Sequence, residues 1–319
     1  MIEHLEAIPF RIPMVRGSHE GVLLVLYGDG VSGLGEAAAL AARGEGLDRL
    51  LSELATRLPR SPAARAAWGM AELDLRARMA SLPAAELLGG LQRREVRCNR
   101  LVLGADASAV AQEVDAGAAA GFRAFKLKAV DSGGPLDHSR LGAAREAGGS
   151  SARLRIDFNG HPAASALPSL QRFRLEFAEQ PLPAAAPIAD WLALGPRVAA
   201  DESLRDPDRA AELAAAGVGL AIKLATVGGP TAAVELAAVA RGPFLVASSY
   251  ESSIGIAAAL HAACAFPAEP LDCGLATRSL LAGDLASGLA DGPCLRLPTG
   301  PGLGVELDRR ALARYRLDR

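Results

Sequence analysis

The chain has 319 residues, with 34 Lys and Arg against 36 Asp and Glu, a formal net charge of −2. That balance, with only 4 % aromatic residues, excludes the basic, base-stacking surface of a nucleic-acid binder and the polybasic face of a membrane-surface binder. At 50 % hydrophobic and 22 % charged, the composition is globular and sufficient to bury a core as one large domain or two modest ones.

The N-terminus, MIEHLEAIPFRIP, has early acids and prolines and no apolar core of signal-peptide length. Ile8 to Ile12 and Val22 to Tyr27 (VLLVLY) predict strands. Gly28 to Gly33 spells G-x-G-x-x-G, but Leu34-Gly35-Glu36 continues as strand and not as helix. The segment therefore predicts a hairpin turn, not a dinucleotide site. Ser61-Pro62 predicts an N-cap and first-turn proline, opening a helix to about Ala80, and a short helix ends at Leu88-Gly89-Gly90. The first 95 residues thus read as α+β.

From about Arg97, short apolar runs alternate with alanine-rich helical segments. The runs are CNRLVL (98–103), AFKLKAV (124–130), LRIDFNG (154–160), LEFAEQPL (175–182), VAADES (198–203), LAIKLATV (220–227), FLVASSYES (244–252) and EPLDCGL (269–275). Eight candidate strands, one per β/α unit, predict a closed parallel β/α barrel. Cys98, Cys264, Cys273 and Cys294 form no C-x-x-C pair, which gives no support to a thiolate zinc site or a redox motif. No G-x-S-x-G elbow occurs. The longest weakly polar stretch, near Ile254 to Phe266, is too short to span a bilayer, and a soluble cytoplasmic protein is expected.

In such a barrel, chemistry sits at the C-terminal strand ends. Lys126 and Lys128 are two apart on one strand and share a face. In a barrel mouth they repel each other, which favours a neutral lysine, the form a general base needs; on an exposed edge they would only face solvent. Asp157, Glu179 and Asp201 follow at intervals of 22 and 22 residues, on three consecutive strands. Three carboxylates converging on one point suit a hard divalent cation such as Mg²⁺; singly, each reads as an ordinary salt-bridge partner. No His stands at matching spacing, which argues against zinc. Lys223 lies on the next strand, as a partner of Asp201 or Glu202, or as a second acid or base. His4, His19, His138 and His261 read as structural or surface residues, and His161 as a loop residue near the mouth.

KLK at 126–128, IDFNG at 156–160, AEQPL at 178–182, ADES at 200–203 and IKLATVGG at 222–229, in that order, resemble the enolase superfamily in its muconate-lactonizing-enzyme-like subgroup. GDGVSGLGEA (28–37), LDLRARMASLPAAELLGG (73–90) and TGPGLGVELD (299–308) extend the likeness over nearly the whole chain. The resemblance implies a modified (β/α)₇β TIM barrel over residues 96–285, an α+β capping domain over 1–95, and a segment 286–319 returning to the cap. It implies Mg²⁺, replaceable by Mn²⁺, on Asp157, Glu179 and Asp201. It further implies removal of a proton alpha to a substrate carboxylate, with Lys128 as the base, Lys126 as the neighbouring charge that keeps it neutral, and Lys223 on the opposite face.

SSYESSIG (248–255) resembles the seventh-strand segment of the o-succinylbenzoate synthase family, and CGLATRSLLAGDL (273–285) resembles its actinobacterial forms. Dipeptide epimerases tend to carry an acidic D-x-D near the eighth strand; here Asp272 has no acidic companion at 274. The resemblance implies a small carboxylate substrate held by Asn159, Ser248, Ser249, Glu251 and Gly255, and dehydration in menaquinone biosynthesis. Racemisation of N-succinyl or N-acyl amino acids, or dipeptide epimerisation, stays open as the alternative. Two other classes stay open on the residues alone: a catalytically dead barrel used for binding, and a Schiff-base aldolase. The oligomeric state is left open, with a monomer compatible with the sequence.

Overall fold

The structure, a computed structural model, describes residues 2–41, 44–129, 137–161 and 164–318. Val130 of the expected second barrel strand lies outside them. Three antiparallel strands open the chain: β1 (His4–Pro13), β2 (Ser18–Gly28) and β3 (Val31–Ala38), with β2 central. Asp29 and Gly30, both at positive φ, make the two-residue turn between β2 and β3, so the G-x-G-x-x-G stretch is a hairpin. Pro9 and Pro13 sit on the edge strand, where a missing N–H costs least.

The run VLLVLY is apolar throughout because both faces of β2 are covered. Val22, Leu24 and Leu26 pack with Leu47, Leu50 and Leu54 of α1 (Leu47–Ala55) and with Ala63, Ala64 and Ala67 of α2 (Pro62–Met79). Leu23 and Val25 join the main core that runs through the barrel. Ser61 caps α2 by accepting from the Ala64 amide, and Pro62 takes the first position. The helix lies so close on β3 that a Cβ at Gly33 or Gly35 would run into its backbone at Ala71 or Ala67. A 3₁₀ turn over Ala84–Leu88 follows.

After β4 (Glu95–Arg97) the barrel begins with β5 (Arg100–Val102). It continues through α3 (Ala107–Ala119), β6 (Ala124–Lys128), α4 (His138–Gly148), β7 (Arg153–Asp157), α5 (Leu167–Leu170), β8 (Leu175–Glu179), α6 (Ile188–Ala193) and β9 (Val198–Ala200). It ends with α7 (Pro207–Ala215), β10 (Gly219–Lys223), α8 (Leu224–Val227), α9 (Pro230–Val239), β11 (Phe244–Ala247) and α10 (Ser253–Ala265). β5 to β11 form one parallel sheet in sequence order. Asp106, Asp137 and Asp206 cap α3, α4 and α7 from the preceding loops.

Two expected strands differ from the sequence reading. LAIKLATV stops being strand at Lys223, and Leu224 turns directly into α8. EPLDCGL makes only isolated bridges, Cys98 to Cys273 and Ala247 to Gly274. Those bridges still close the barrel. The Cys273 amide donates to Arg97 O at 2.7 Å and its carbonyl accepts from Asn99 N at 2.9 Å, while the Gly274 amide donates to Val246 O at 2.7 Å. The eighth position is extended and paired on both sides, too short to count as a strand.

The remaining chain adds β12 (Ala286–Ser287), β13 (Cys294–Arg296), β14 (Glu306–Leu307) and α11 (Arg309–Tyr315). β13 pairs with β4, and Gly302 exchanges backbone hydrogen bonds with Leu82 and Ala84. Buried Asp74 of α2 accepts from Leu34 N at 2.8 Å and Leu303 N at 2.7 Å, tying β3, α2 and the tail together. No described helix is long and apolar enough to cross a membrane.

Candidate active site

β6, β7, β8 and β10 each end on a charged residue, and β9 is followed at once by one: Lys128, Asp157, Glu179, Lys223 and Asp201. The register places Lys128 beside Asp157 and Asp157 beside Glu179, so the spacing of one β/α unit becomes adjacency in space. Asp157, Glu179 and Asp201 are all buried. Lys126 Nζ donates to Glu179 Oε1 at 2.7 Å and lies 3.0 Å from Asp157 Oδ2. Lys128 Nζ donates to Asn159 Oδ1 at 2.6 Å and lies 3.7 Å from Asp157. Lys223 Nζ donates to Asp201 Oδ2 at 2.5 Å; its carboxylate partner is thus Asp201.

These charges set each other. Burial pulls the Lys126 ammonium down, but Asp157, Glu179 and Asp201 outweigh it and hold it above the ordinary lysine range. Lys223 is raised for the same reason, with Asp201 the main counterweight to burial. Burial pushes Asp157 up, and Lys126, Lys128 and Lys223 overcome it and keep the carboxyl well below its usual value. Glu179 goes the other way: burial, with Asp157 and Asp201 beside it, outweighs Lys126 and raises it.

The donor set fits a hard divalent cation. Three buried carboxylates stand at or just past the ends of adjacent strands, and all three are hard oxygen donors of the kind such a cation takes. Among the described residues, no three His, Cys, Asp or Glu side chains are gathered tightly enough to hold a metal as they stand; the lysine ammonium groups lie against the carboxylates.

The cavity over this cluster is lined by Lys126, Lys128, Asp157, Asn159, Glu179 and Lys223 on one side and by Ser248, Ser249, Tyr250, Gly274 and Thr277 on another, with Leu40 reaching in from beyond β3. Ser248 and Thr277 pair their hydroxyls at 2.7 Å, and Ser249 Oγ is buried without a hydrogen-bond partner among the described residues. Asn159, Ser248 and Ser249 are therefore at the cavity. Glu251 and Gly255 are not among its lining residues: Glu251 folds back on the Ser249 amide, and the Gly255 amide donates to Glu36. His161 is exposed.

Sequence reasoning missed two residues here. Arg155, fully buried, lines the cavity floor, donating to Glu176, Asn99 Oδ1 and Asp272 O. It stands two before Asp157 on the same strand, so alternation could have placed it inside. Gln180 Oε1 accepts from Asp201 N at 2.8 Å and Ser203 N at 3.3 Å, fixing the backbone that carries Asp201. Its signal was only its place beside Glu179.

A family model described as enolase C-terminal domain-like matches residues 109–311. The chain is 38 % identical to an L-Lys-D/L-Arg epimerase of Methylococcus capsulatus over 81 % of this chain and 76 % of that protein. It is 35 % identical to an o-succinylbenzoate synthase of Thermobifida fusca over 63 % of this chain and 65 % of that one. A solved muconate cycloisomerase variant superposes with a TM-score of 0.90 at 25 % identity, covering 99 % of this chain and 100 % of its own. A dipeptide epimerase from Methylococcus capsulatus, solved in complex with a Mg ion, gives 0.82 at 30 % identity, covering 96 % and 99 %. Fold, strand-end residues and relatives agree: the chain is an enzyme of the enolase superfamily, in its muconate-lactonizing-enzyme-like subgroup.

Proposed function

We propose that the chain is an o-succinylbenzoate synthase, dehydrating 2-succinyl-6-hydroxy-2,4-cyclohexadiene-1-carboxylate to o-succinylbenzoate in menaquinone biosynthesis. One observation carries the choice of substrate: the chemistry of the cavity's far end. At the strand ends Lys126, Lys128, Lys223 and Arg155 are matched by Asp157, Glu179, Asp201 and Glu176, so the far end is left to discriminate. The far end offers hydroxyls of Ser248, Ser249 and Thr277, with Gly274 where a second acid would hold a substrate amine. An end lined by hydroxyls and lacking a carboxylate suits a second substrate carboxylate and offers no partner to the cationic group of a dipeptide. The curated synthase relative supports the same reading.

In this reading Asp157, Glu179 and Asp201 hold Mg²⁺, or Mn²⁺ in its place. The bound cation supplies positive charge at the substrate carboxylate, where negative charge builds as the alpha proton leaves. Lys128, oriented by Asn159, takes that proton. The hydroxyl on the neighbouring ring carbon then departs with the proton returned from Lys128 as water, and the ring becomes aromatic. Lys126 and Lys223 stay charged, held by the carboxylates they touch. Ser249, whose hydroxyl is buried and without a partner among the described residues, donates to the succinyl carboxylate together with Ser248.

Epimerisation of an N-acyl amino acid or a dipeptide is the second reading. The 38 % identical epimerase favours it, as do lysines ending both β6 and β10. Side-by-side assays of the cyclohexadiene carboxylate, N-succinyl amino acids and Lys- or Arg-containing dipeptides separate the two. Dehydration is expected to have the highest kcat/KM. A dipeptide turned over faster than the diene would replace the first reading with the second.

A further inference from the structure

Glu36 of β3 is buried and 216 residues away in sequence from Ser252, yet their side chains meet. Glu36 Oε2 accepts from Ser252 Oγ at 2.5 Å and from Gly255 N at 3.2 Å; Oε1 accepts from Ser252 N at 2.9 Å and pairs with His19 Nε2 of β2 at 2.8 Å. The carboxylate therefore joins the N-terminal sheet to the first turn of α10, where unsatisfied amides and the helix dipole favour an anion. Burial raises the Glu36 carboxyl, and His19 and Ser252 outweigh it and keep it below its ordinary value.

What this contact holds is one wall of the cavity. Ser248, Ser249 and Tyr250, two to four residues before Ser252, line the site. Tyr250 sits at φ +68°, a left-handed conformation that a side-chain-bearing residue keeps only when its surroundings fix it. Glu251 pins one flank by accepting from the Ser249 amide, and Glu36 pins the other at Ser252. From β3 the chain runs on to Leu40, which lines the same cavity. Glu36 thus ties together the two walls that come from opposite ends of the sequence.

We infer that Glu36 is a positioning residue for substrate binding, holding the strained 248–252 turn against the N-terminal sheet so that Ser248, Ser249 and Tyr250 face the substrate. Among the described residues it makes no hydrogen bond to Lys126, Lys128 or the three carboxylates, so its loss bears on binding more than on proton transfer. This inference rests on the proposed site and not on the identity of the substrate.

Glu36→Gln and the milder Ser252→Ala test it in the full chain by two measurements. Amide hydrogen exchange, followed by peptide, is expected to quicken about tenfold over residues 248–256 while peptides covering β6, β7, β8 and β10 stay as in wild type. Steady-state dehydration is expected to show KM raised about tenfold with kcat within about threefold. Unchanged exchange at 248–256, or a fall in kcat with KM unchanged, overturns the inference. Should Glu36→Gln fail to fold, Ser252→Ala decides the matter alone. A wild type that does not turn over the diene refutes the proposed substrate. The exchange arm then still decides the role of Glu36, and the KM comparison passes to whichever amino acid derivative or dipeptide the wild type does turn over.

Discussion

Lys126 Nζ donates to Glu179 Oε1 at 2.7 Å, and this contact fixes a charge beside the proposed base. Burial works against the Lys126 ammonium, but three carboxylates hold it above the ordinary lysine range. Lys126 therefore stays positive through the physiological pH range and disfavours a second positive charge at Lys128, two residues along the same strand. Lys126→Ala removes that repulsion. The pH at which turnover rises to half its plateau is expected to move upwards, with a lower plateau rate. A pH profile whose rising limb stays in place would contradict the role given to Lys126.

Metal dependence follows from the buried carboxylates. Chelation is expected to abolish turnover, and added Mg²⁺ or Mn²⁺ to restore it. Asp157→Asn, Glu179→Gln and Asp201→Asn each weaken the ligand set, with a loss in kcat/KM above about 100-fold and weaker Mn²⁺ binding by calorimetry. Full activity in a metal-free preparation would remove the three residues from this role.

A pH effect on stability is expected far from the site. His261 of α10 is buried, and its Nδ1 accepts from Ala85 N at 3.1 Å, so Nε2 carries the proton and donates to Leu303 O at 3.2 Å. Burial lowers its pKa from 6.5 to about 4, with Leu303 opposing. Between those values the unfolded chain binds the proton and the folded chain does not. Stability is therefore full above the unfolded value and falls as pH drops through the window, by an amount on the order of 3 kcal/mol. Urea unfolding at pH 7 and pH 5 reads the upper part of that window, about 2 kcal/mol. His261→Gln is expected to be less stable at pH 7 but to lose less between the two pH values; parallel losses in both proteins would show that His261 is not the source.

The strand-end residues were legible because parallel β/α units turn sequence intervals into neighbours. Two intervals of 22 residues put Asp157, Glu179 and Asp201 on adjacent strands. Arg155 was legible by the same alternation and was overlooked. The eighth strand was not, because an apolar run does not reveal that its strand bridges form at Cys273 and Gly274 alone. Leu224 continues an apolar run that the backbone leaves as helix, since Ala225 packs against the core under α2. Glu36 was out of reach altogether. Its partners at Ser252 and Gly255 are chosen by how the N-terminal sheet docks, and no local pattern encodes that contact.

The account turns on Lys128 as the group that takes the alpha proton. The direct measurement is exchange of that proton with solvent deuterium, followed by NMR in the recovered cyclohexadiene carboxylate, for wild type and Lys128→Ala with Mg²⁺ present. Lys128→Ala is predicted to lose exchange and dehydration together, each by about 100-fold or more. Exchange at the wild-type rate in Lys128→Ala would contradict the account and move the base to Lys223.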